Sequence, residues 1–331
     1  MVAWLHNYLQ GRTQRVSVNG EFSGWRLLTS GVPQGGVLSP YLFLLFMSSR
    51  TTVYRDTLDV GYADDVSLSR SIPSENGTTV NPMPAEATQL DTWAHHNDML
   101  LNGKKSQALL ICFKRNIPAL PSLSLGGEPV PVTRTAKGLG FTFDSKLSFQ
   151  DHVKSTVSKA SSRLHYLRLL CKQGMCVADL VQVYLSLSRL HYLRLLCKQG
   201  MCVADLVQVY LSLIRPVLEY GHVLLVGCNE ELSASMERVQ KRTLRIISCG
   251  GRRAVPSLPT LKERRESAAL KLFKAMLSPE HPLRDLVPLR RSTATGRQLR
   301  NRNTYTLPSA RTQRLNKSFL YCAIRLYNEN A

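Results

Sequence analysis

The chain has 331 residues, 44% of them hydrophobic, with 43 Lys+Arg against 23 Asp+Glu. That length allows two or three units of about 100 to 200 residues each, and the apolar content is enough for packed cores, so the chain reads as globular over at least its first two-thirds. The longest apolar run, Val37 to Met47, is too short to cross a bilayer at about 20 residues per helix, and the N-terminus carries no signal-peptide pattern.

An intracellular location is expected, nucleus or cytoplasm undecided, with no membrane partner. Eight cysteines are present, four of them (Cys171, Cys176, Cys197, Cys202) in a duplicated segment. With no Cys-x-x-Cys pair, they read as reduced thiols rather than a disulfide frame or a zinc site. The charge is uneven: residues 1–143 hold 12 Lys+Arg and 10 Asp+Glu, and residues 144–331 hold 31 and 13. A basic excess confined to the second part suits a polyanionic partner, because Lys and Arg displace counterions from phosphate backbones, but it also suits a solvated surface.

In chain order, Met1 to Gln10 reads as a helix with Val2, Leu5, Tyr8 and Leu9 on one face, and Arg15 to Val18 as a short strand before a turn at Asn19-Gly20. Gly31-Val32-Pro33-Gln34-Gly35-Gly36 is a glycine-rich loop. Ser39 suits the N-cap, and Pro40 the first turn, of an apolar helix over Tyr41 to Met47. Val60 to Leu68 alternates around Asp64-Asp65, the pattern of a hairpin with carboxylates at its tip. Ser71 to Pro84 reads as an exposed loop, Trp93 to Leu101 as helix, Leu109 to Phe113 as strand, and Leu123 to Phe143 as a hairpin turning at Gly126-Gly127.

The pattern up to this point is α+β. From Ser148, which with Asp151 resembles a capping box, it becomes helical, and Thr260 with Glu263 opens another helix. After Pro282 the periodicity fades. Arg284 to Lys317 then carries nine basic residues against the single acid Asp285, a nucleic-acid or ribonucleoprotein tail or a solvated one. Ser162 to Leu187 recurs unchanged as Ser188 to Leu213. Two identical copies point to a recent duplication or an assembly error rather than a solenoid, whose repeats drift and need about three copies. Each copy reads as helix, turn, helix. His95-His96 projects to two faces of a helix, which does not suit chelation, and Tyr166, Tyr184, Tyr192 and Tyr210 read as core residues.

Phosphoryl transfer from a nucleoside triphosphate is commonly run by two divalent ions about 3.5 to 4 Å apart, and Mg²⁺ prefers carboxylate oxygens. Adjacent acids at a hairpin tip meet that need. Alone, Asp64-Asp65 is more often an ordinary turn, but its neighbours add context: Pro33-Gln34-Gly35 upstream, then Leu101-Asn102-Gly103-Lys104-Lys105-Ser106, then Lys137-Gly138-Leu139-Gly140.

The runs GVPQGGVLSPYLF, GYADDV, LNGKKS, KGLGFTFDSKLSFQDHV, RPVLEYG, ERVQKRTLRII and KSFLYCAIRLYNEN follow one another in an order that resembles the reverse transcriptases of LINE-type, non-LTR retrotransposons, jockey-like in texture. The resemblance covers nearly the whole chain apart from the extra repeat. It implies an RNA-directed DNA polymerase that extends a primer 3′-end with dNTPs on an RNA template, using Mg²⁺ (or Mn²⁺) in a two-ion site, within an element ribonucleoprotein. By this resemblance Asp64 is the principal metal ligand, Asp65 its partner, and Tyr62 lies near the primer end. Pro33, Gln34 and Gly35 lie against template and incoming nucleotide. Lys105, or Lys104 beside it, resembles the lysine that protonates pyrophosphate. Gly138 and Gly140 belong to the hairpin that grips the primer strand.

Two departures matter. Gly36 stands where the family has Ser, which should loosen the loop. The family's other metal-binding Asp precedes the segment with which this chain starts, and no Asp occurs in residues 1–30. The expected organisation is a partial polymerase palm (1–143) lacking the fingers and first catalytic Asp, a helical thumb-like region (144–250) and a basic C-terminal region (251–331). The chain alone is expected to be inactive. A non-catalytic nucleic-acid-binding remnant or pseudogene product is the alternative.

Overall fold

The computed structural model describes all residues except 1, 76–77, 80, 114–121, 174–202, 249–250, 252–253, 291–303, 308, 311 and 331; for residues 2, 74–75, 78–79 and 165–173 it describes the backbone alone. The fold mixes helix and strand and divides into two units, Met1–Thr133 and Arg134–Ala331. Among the described residues no helix is long and apolar enough to cross a membrane.

The first unit opens with α1 (Val2–Leu9), where Trp4 stacks on Tyr8, ring centroids 5.4 Å apart. β1 (Thr13–Gln14) then pairs with β4 (Arg26–Leu27), enclosing a hairpin of β2 (Ser17–Val18) and β3 (Glu21–Phe22). Its turn forms where expected, because Asn19 and Gly20 both tolerate the positive φ of a tight hairpin, here 52° and 89°. After α2 (Ser39–Met47) come β5 (Leu58–Tyr62) and β6 (Asp65–Ser69), then the short ladder of β7 (Ser74–Glu75) and β8 (Thr78–Thr79). α3 (Met83–His96) is followed by β9 (Ala108–Leu109), β10 (Leu123–Leu125), β11 (Glu128–Val130) and β12 (Val132–Thr133). Every sheet among the described residues has two strands.

Several boundaries differ from the sequence reading. Ser39 is the first residue of α2 and does not cap it, because Leu38 takes the cap position and Ser39 already has helical backbone; its hydroxyl donates to the carbonyl of Pro33. α3 stops at His96 rather than running to Leu101. Asn97 turns its side-chain amide back onto the Trp93 carbonyl, and Asp98 takes the left-handed conformation that closes a helix, φ 53°. The strand expected over Leu109 to Phe113 is confined to Ala108–Leu109. The single hairpin expected over Leu123 to Phe143 is two. β10 and β11 turn at Gly126-Gly127, and β13 (Thr135–Gly138) pairs with β14 (Phe141–Asp144) around Leu139-Gly140.

The second unit holds that hairpin and a helical assembly. α4 (Gln150–Gln173) is preceded by Asp144, whose carboxylate accepts from the N–H groups of Lys146, Ser148 and Phe149. Burial opposes ionisation of Asp144, but these bonds outweigh it and hold its pKa below the ordinary value. α5 (Val203–Val209) passes through one π turn, Tyr210–Ile214, into α6 (Arg215–Leu218). The widening precedes Pro216, which has no N–H to return to the helix. α7 (Glu230–Ile247), α8 (Leu261–Met276), α9 (Gln313–Asn316) and α10 (Phe319–Glu329) complete it. The capping box expected at Thr260 and Glu263 is formed.

Of the repeat, the described residues are 162–173 from the first copy and 203–213 from the second, and the turn expected in each copy lies outside them. The core takes Leu164 from one copy and Leu206, Val207, Val209 and Tyr210 from the other. Tyr210 is a core residue as expected. It is fully buried, and its hydroxyl donates to Gln240 Oε1 at 2.5 Å. The side chains of Tyr166, Tyr184 and Tyr192 lie outside the described residues. Where the sequence periodicity fades, α10 still packs Ala323 and Ile324 against Ala269 and Phe273 of α8 and Tyr305.

Candidate active site

The acidic tip is built as its sequence dictates. Tyr62 pairs with Asp65 across the β5–β6 ladder, leaving Ala63 and Asp64 as a two-residue turn with Ala63 at φ 52°. Asp64 therefore occupies the turn and Asp65 the first position of β6. Both are exposed, and Tyr62 beside them is 66% exposed.

The base of this hairpin is held by polar anchors that the sequence reading did not single out. Arg50 forks onto Asp59 of β5 at 3.0 and 3.3 Å. A Cβ on Gly61 would lie 2.8 Å from Arg50 Nη2, so the glycine of the Gly-Tyr-Ala-Asp-Asp run leaves room for this guanidinium. Arg70, just after β6, pairs with Asp56 at 2.6 Å and lies over the Tyr54 ring. Glu86 of α3, 1% exposed, accepts from the N–H groups of Val53 and Tyr54 at 2.9 and 3.1 Å and from the Thr57 hydroxyl. Burial pushes the Glu86 carboxyl up, but these bonds and the charge of Arg70 outweigh it and leave its pKa below the ordinary value. A charged residue in the first turn of a helix gives no hint that its partners lie 29 to 33 residues earlier; only the tertiary structure supplies them.

The glycine loop is similarly pinned. Arg12 Nε donates to the Leu9 carbonyl at 2.8 Å, and Nη2 donates to Ser30 O at 3.4 Å and to Gly31 O, so one side chain joins the end of α1 to the loop's entrance. Gly35 turns with φ 79° and open space around it, and Gln34 beside it is exposed. The loosening expected at Gly36 meets a different surrounding. A Cβ there would sit 2.7 Å from the Tyr8 hydroxyl and 2.8 Å from Ser39 Oγ, while the Gly36 N–H donates to Pro33 O. The glycine thus fits a closed loop.

In the third candidate segment Asn102 caps a short 3₁₀ turn, Gly103–Lys105, by accepting from the Lys105 N–H. Lys104 pairs with Glu128 at 3.5 Å; both lysines are exposed, and among the described residues Lys105 forms no ion pair. Gly138 and Gly140 belong to the second unit, Gly140 with φ 79° at the β13–β14 turn. The structure thus gathers Tyr62, Asp64 and Asp65 in one hairpin, Pro33, Gln34 and Gly35 in one loop, and Lys105 in a separate turn.

Two carboxylates offer hard oxygen donors of the kind Mg²⁺ takes. Among the described residues no group of three or more His, Cys, Asp or Glu side chains could hold a metal ion, so the pair is a partial donor set. His95 and His96 meet edge to face with centroids 6.3 Å apart. The spacing of residues on α7 also hides a feature that the chain-order reading passed over. Arg238, Lys241, Arg242 and Arg245 are all exposed, at i, i+3, i+4 and i+7, which puts them on one face; among the described residues none of the four is in an ion pair.

Residues 1–143, which contain the glycine loop, the acidic hairpin and the lysine turn, match the family model described as reverse transcriptase (RNA-dependent DNA polymerase). That stretch belongs to the reverse transcriptase family. Curated relatives are named as RNA-directed DNA polymerases of mobile elements, two of them as probable ones. The chain is 26% identical over 186 residues to a probable RNA-directed DNA polymerase from transposon X-element of Drosophila melanogaster, which is 54% of this chain and 20% of that protein. It is 30% identical over 173 residues to the corresponding protein of transposon BS from the same organism, 50% of this chain and 19% of that one. To the RNA-directed DNA polymerase from mobile element jockey it is 31% identical over 157 residues, 44% of this chain and 16% of that one. The matched stretch spans about a fifth of the first two relatives' length. No solved structure matches the chain.

Proposed function

We propose that this chain is the palm and thumb part of an RNA-directed DNA polymerase from a jockey-like, non-LTR retrotransposon, which transfers nucleotides from dNTPs to a primer 3′-end on an RNA template. The observation that carries the reading is the acidic hairpin, Asp64 in its two-residue turn and Asp65 paired with Tyr62, inside the stretch that matches the reverse transcriptase family. In it Asp64 and Asp65 would hold Mg²⁺ or Mn²⁺ together with donors from outside the pair. When bound, such ions would activate the primer hydroxyl and neutralise the leaving pyrophosphate. Tyr62 stands at the primer end, and Pro33, Gln34 and Gly35 face template and nucleotide. Lys105 donates the proton to pyrophosphate, supported by the engagement of Lys104 with Glu128.

With only two acids at the tip, the chain by itself is expected to synthesise no DNA. The test is a chimera in which residues 1–143 replace the corresponding stretch of the jockey polymerase. Mg²⁺-dependent DNA synthesis on a primed RNA template, lost in Asp64→Asn, supports the proposal; a folded but inactive chimera sinks it. The four-cation face of α7, with the basic residues of the C-terminal region, supplies phosphate contacts. Duplex affinity should fall steeply with salt, at a slope of about −0.9 per phosphate contact. Replacing Arg238, Lys241, Arg242 and Arg245 by Gln should flatten that slope by about 3.6, at about 0.9 for each of the four contacts, and an unchanged slope removes α7 from the interface.

A further inference from the structure

The β13–β14 hairpin turns through Leu139 and Gly140, whose φ values are 48° and 79°. A two-residue turn with both φ values positive suits a hairpin, but a leucine in the left-handed region is disfavoured, so the turn calls for outside support. That support comes from the Glu219-Tyr220-Gly221 triplet, in which each residue has a separate task. The Tyr220 hydroxyl donates to the Leu139 carbonyl across 81 residues of sequence, and a Cβ on Gly140 would meet the Tyr220 ring at 3.6 Å. Glu219 is fixed by Arg264, which contacts both carboxylate oxygens (one at 2.9 Å), and by Arg215 at 3.8 Å. Gly221, at φ 65°, lies where a Cβ would come within 2.5 Å of the Phe141 ring, the first side chain after the turn.

His152 closes the arrangement from the other side. It stacks on Phe141 with centroids 3.8 Å apart, accepts from the Thr142 N–H at 3.3 Å and is hydrogen-bonded to the Tyr220 backbone. The buried members of this cluster, Phe141 and His152, account for packing. The phenol does not: Tyr220 is 50% exposed and Leu139 49% exposed, so their contact lies in solvent at the tip.

We propose that Tyr220 is a positioning residue that sets the conformation of the Leu139-Gly140 turn and so directs the Gly138–Gly140 backbone toward the sugar-phosphate of a recessed primer 3′-end. The proposal rests on the reading of this hairpin as the primer-gripping one. It is tested on the full chain with Tyr220→Phe and Tyr220→Ala. Tyr220→Phe, which keeps the ring, should leave the thermal midpoint unchanged yet speed amide hydrogen exchange in residues 138–142 by about fivefold, the equivalent of one hydrogen bond. Tyr220→Ala should speed it further. Exchange identical to the wild type in both variants overturns the positioning role, whatever the chain binds.

In the second arm, affinity is compared for an RNA·DNA hybrid with a recessed DNA 3′-end and for a blunt hybrid. Tyr220→Phe should weaken the recessed substrate about fivefold and leave the blunt one unchanged. Equal loss on both, or loss on neither, counts against the proposal. If the wild type fails to distinguish the two substrates, the primer-hairpin reading is what fails, and hydrogen exchange still decides whether Tyr220 holds the turn.

Discussion

The two units are held together by different forces. Of the buried hydrophobic residues among those described, residues 134–331 contribute the large set from Phe141 to Ile324, whereas residues 1–133 contribute only Met47 and Ala94. In the first unit large apolar side chains stand in solvent instead: Tyr41, Leu44 and Leu45 on α2, and Leu58, Val60 and Tyr62 along one face of β5. Its order comes from buried polar anchors, Glu86 and Arg50 above all. An α-helix as apolar as α2, and a two-stranded ribbon with an uncovered apolar face, are elements that normally have a further layer against them. The second unit has that layering within itself.

This contrast can be broken most forcefully in the second unit. Phe273 is fully buried, edge to face with Tyr305 and Tyr327. Phe273→Ala should cost about 3 to 5 kcal/mol, read from the denaturant unfolding of the helical circular dichroism signal. All three tryptophans, Trp4, Trp25 and Trp93, lie in the first unit, so their fluorescence transition should not move. A shift of equal size in both signals would show that the units unfold as one.

The corresponding experiment in the first unit is Glu86→Gln. It places an amide donor where the carboxylate accepts from Val53, Tyr54 and Thr57, and about 1 to 3 kcal/mol should be lost from the tryptophan-monitored transition alone. No change would mean that the hairpin base is not anchored there. Because the Glu86 pKa is lowered on folding, its contribution is present above the unfolded value of 4.5 and is lost as pH falls through the lower folded value.

His152 gives a smaller, pH-dependent effect in the second unit. Burial, helped by Lys159 and opposed by the bond to the Tyr220 backbone, lowers its pKa from 6.5. The neutral ring is the folded form. Stability therefore holds above pH 6.5 and declines as pH drops toward the lower folded value, because the unfolded chain takes up the proton first. The circular dichroism midpoint should fall between pH 7.5 and 5, and the fall should shrink in His152→Gln. An undiminished fall in the variant would assign the acid sensitivity to another group.

The least effect is expected on the exposed face of α2. Leu45, 69% exposed, should tolerate Leu45→Lys within about 0.5 kcal/mol in this chain. A cost several times larger would show that something already covers that face.

Motif spacing alone placed the acidic hairpin, the Asn19-Gly20 turn and the Thr260 capping box, because each rests on local chemistry: residues that tolerate positive φ, alternation of period two, and a hydroxyl three residues before a glutamate. The ordered runs also pointed to the glycine loop and to the turn carrying Lys105. What stayed hidden was long-range. Glu86 reaches back 29 to 33 residues, Arg12 reaches ahead 18 and 19, and Tyr220 contacts a turn 81 residues away. Helix ends moved for a local reason: Leu38 rather than Ser39 took the cap position of α2, and Asp98 took a left-handed conformation that no apolar spacing reveals. The sequence by itself determined where the acidic hairpin, the tight turn and the capping box form. Only the tertiary structure decided what holds them, since a hydrogen bond or ion pair depends on distance in space and leaves no period along the chain.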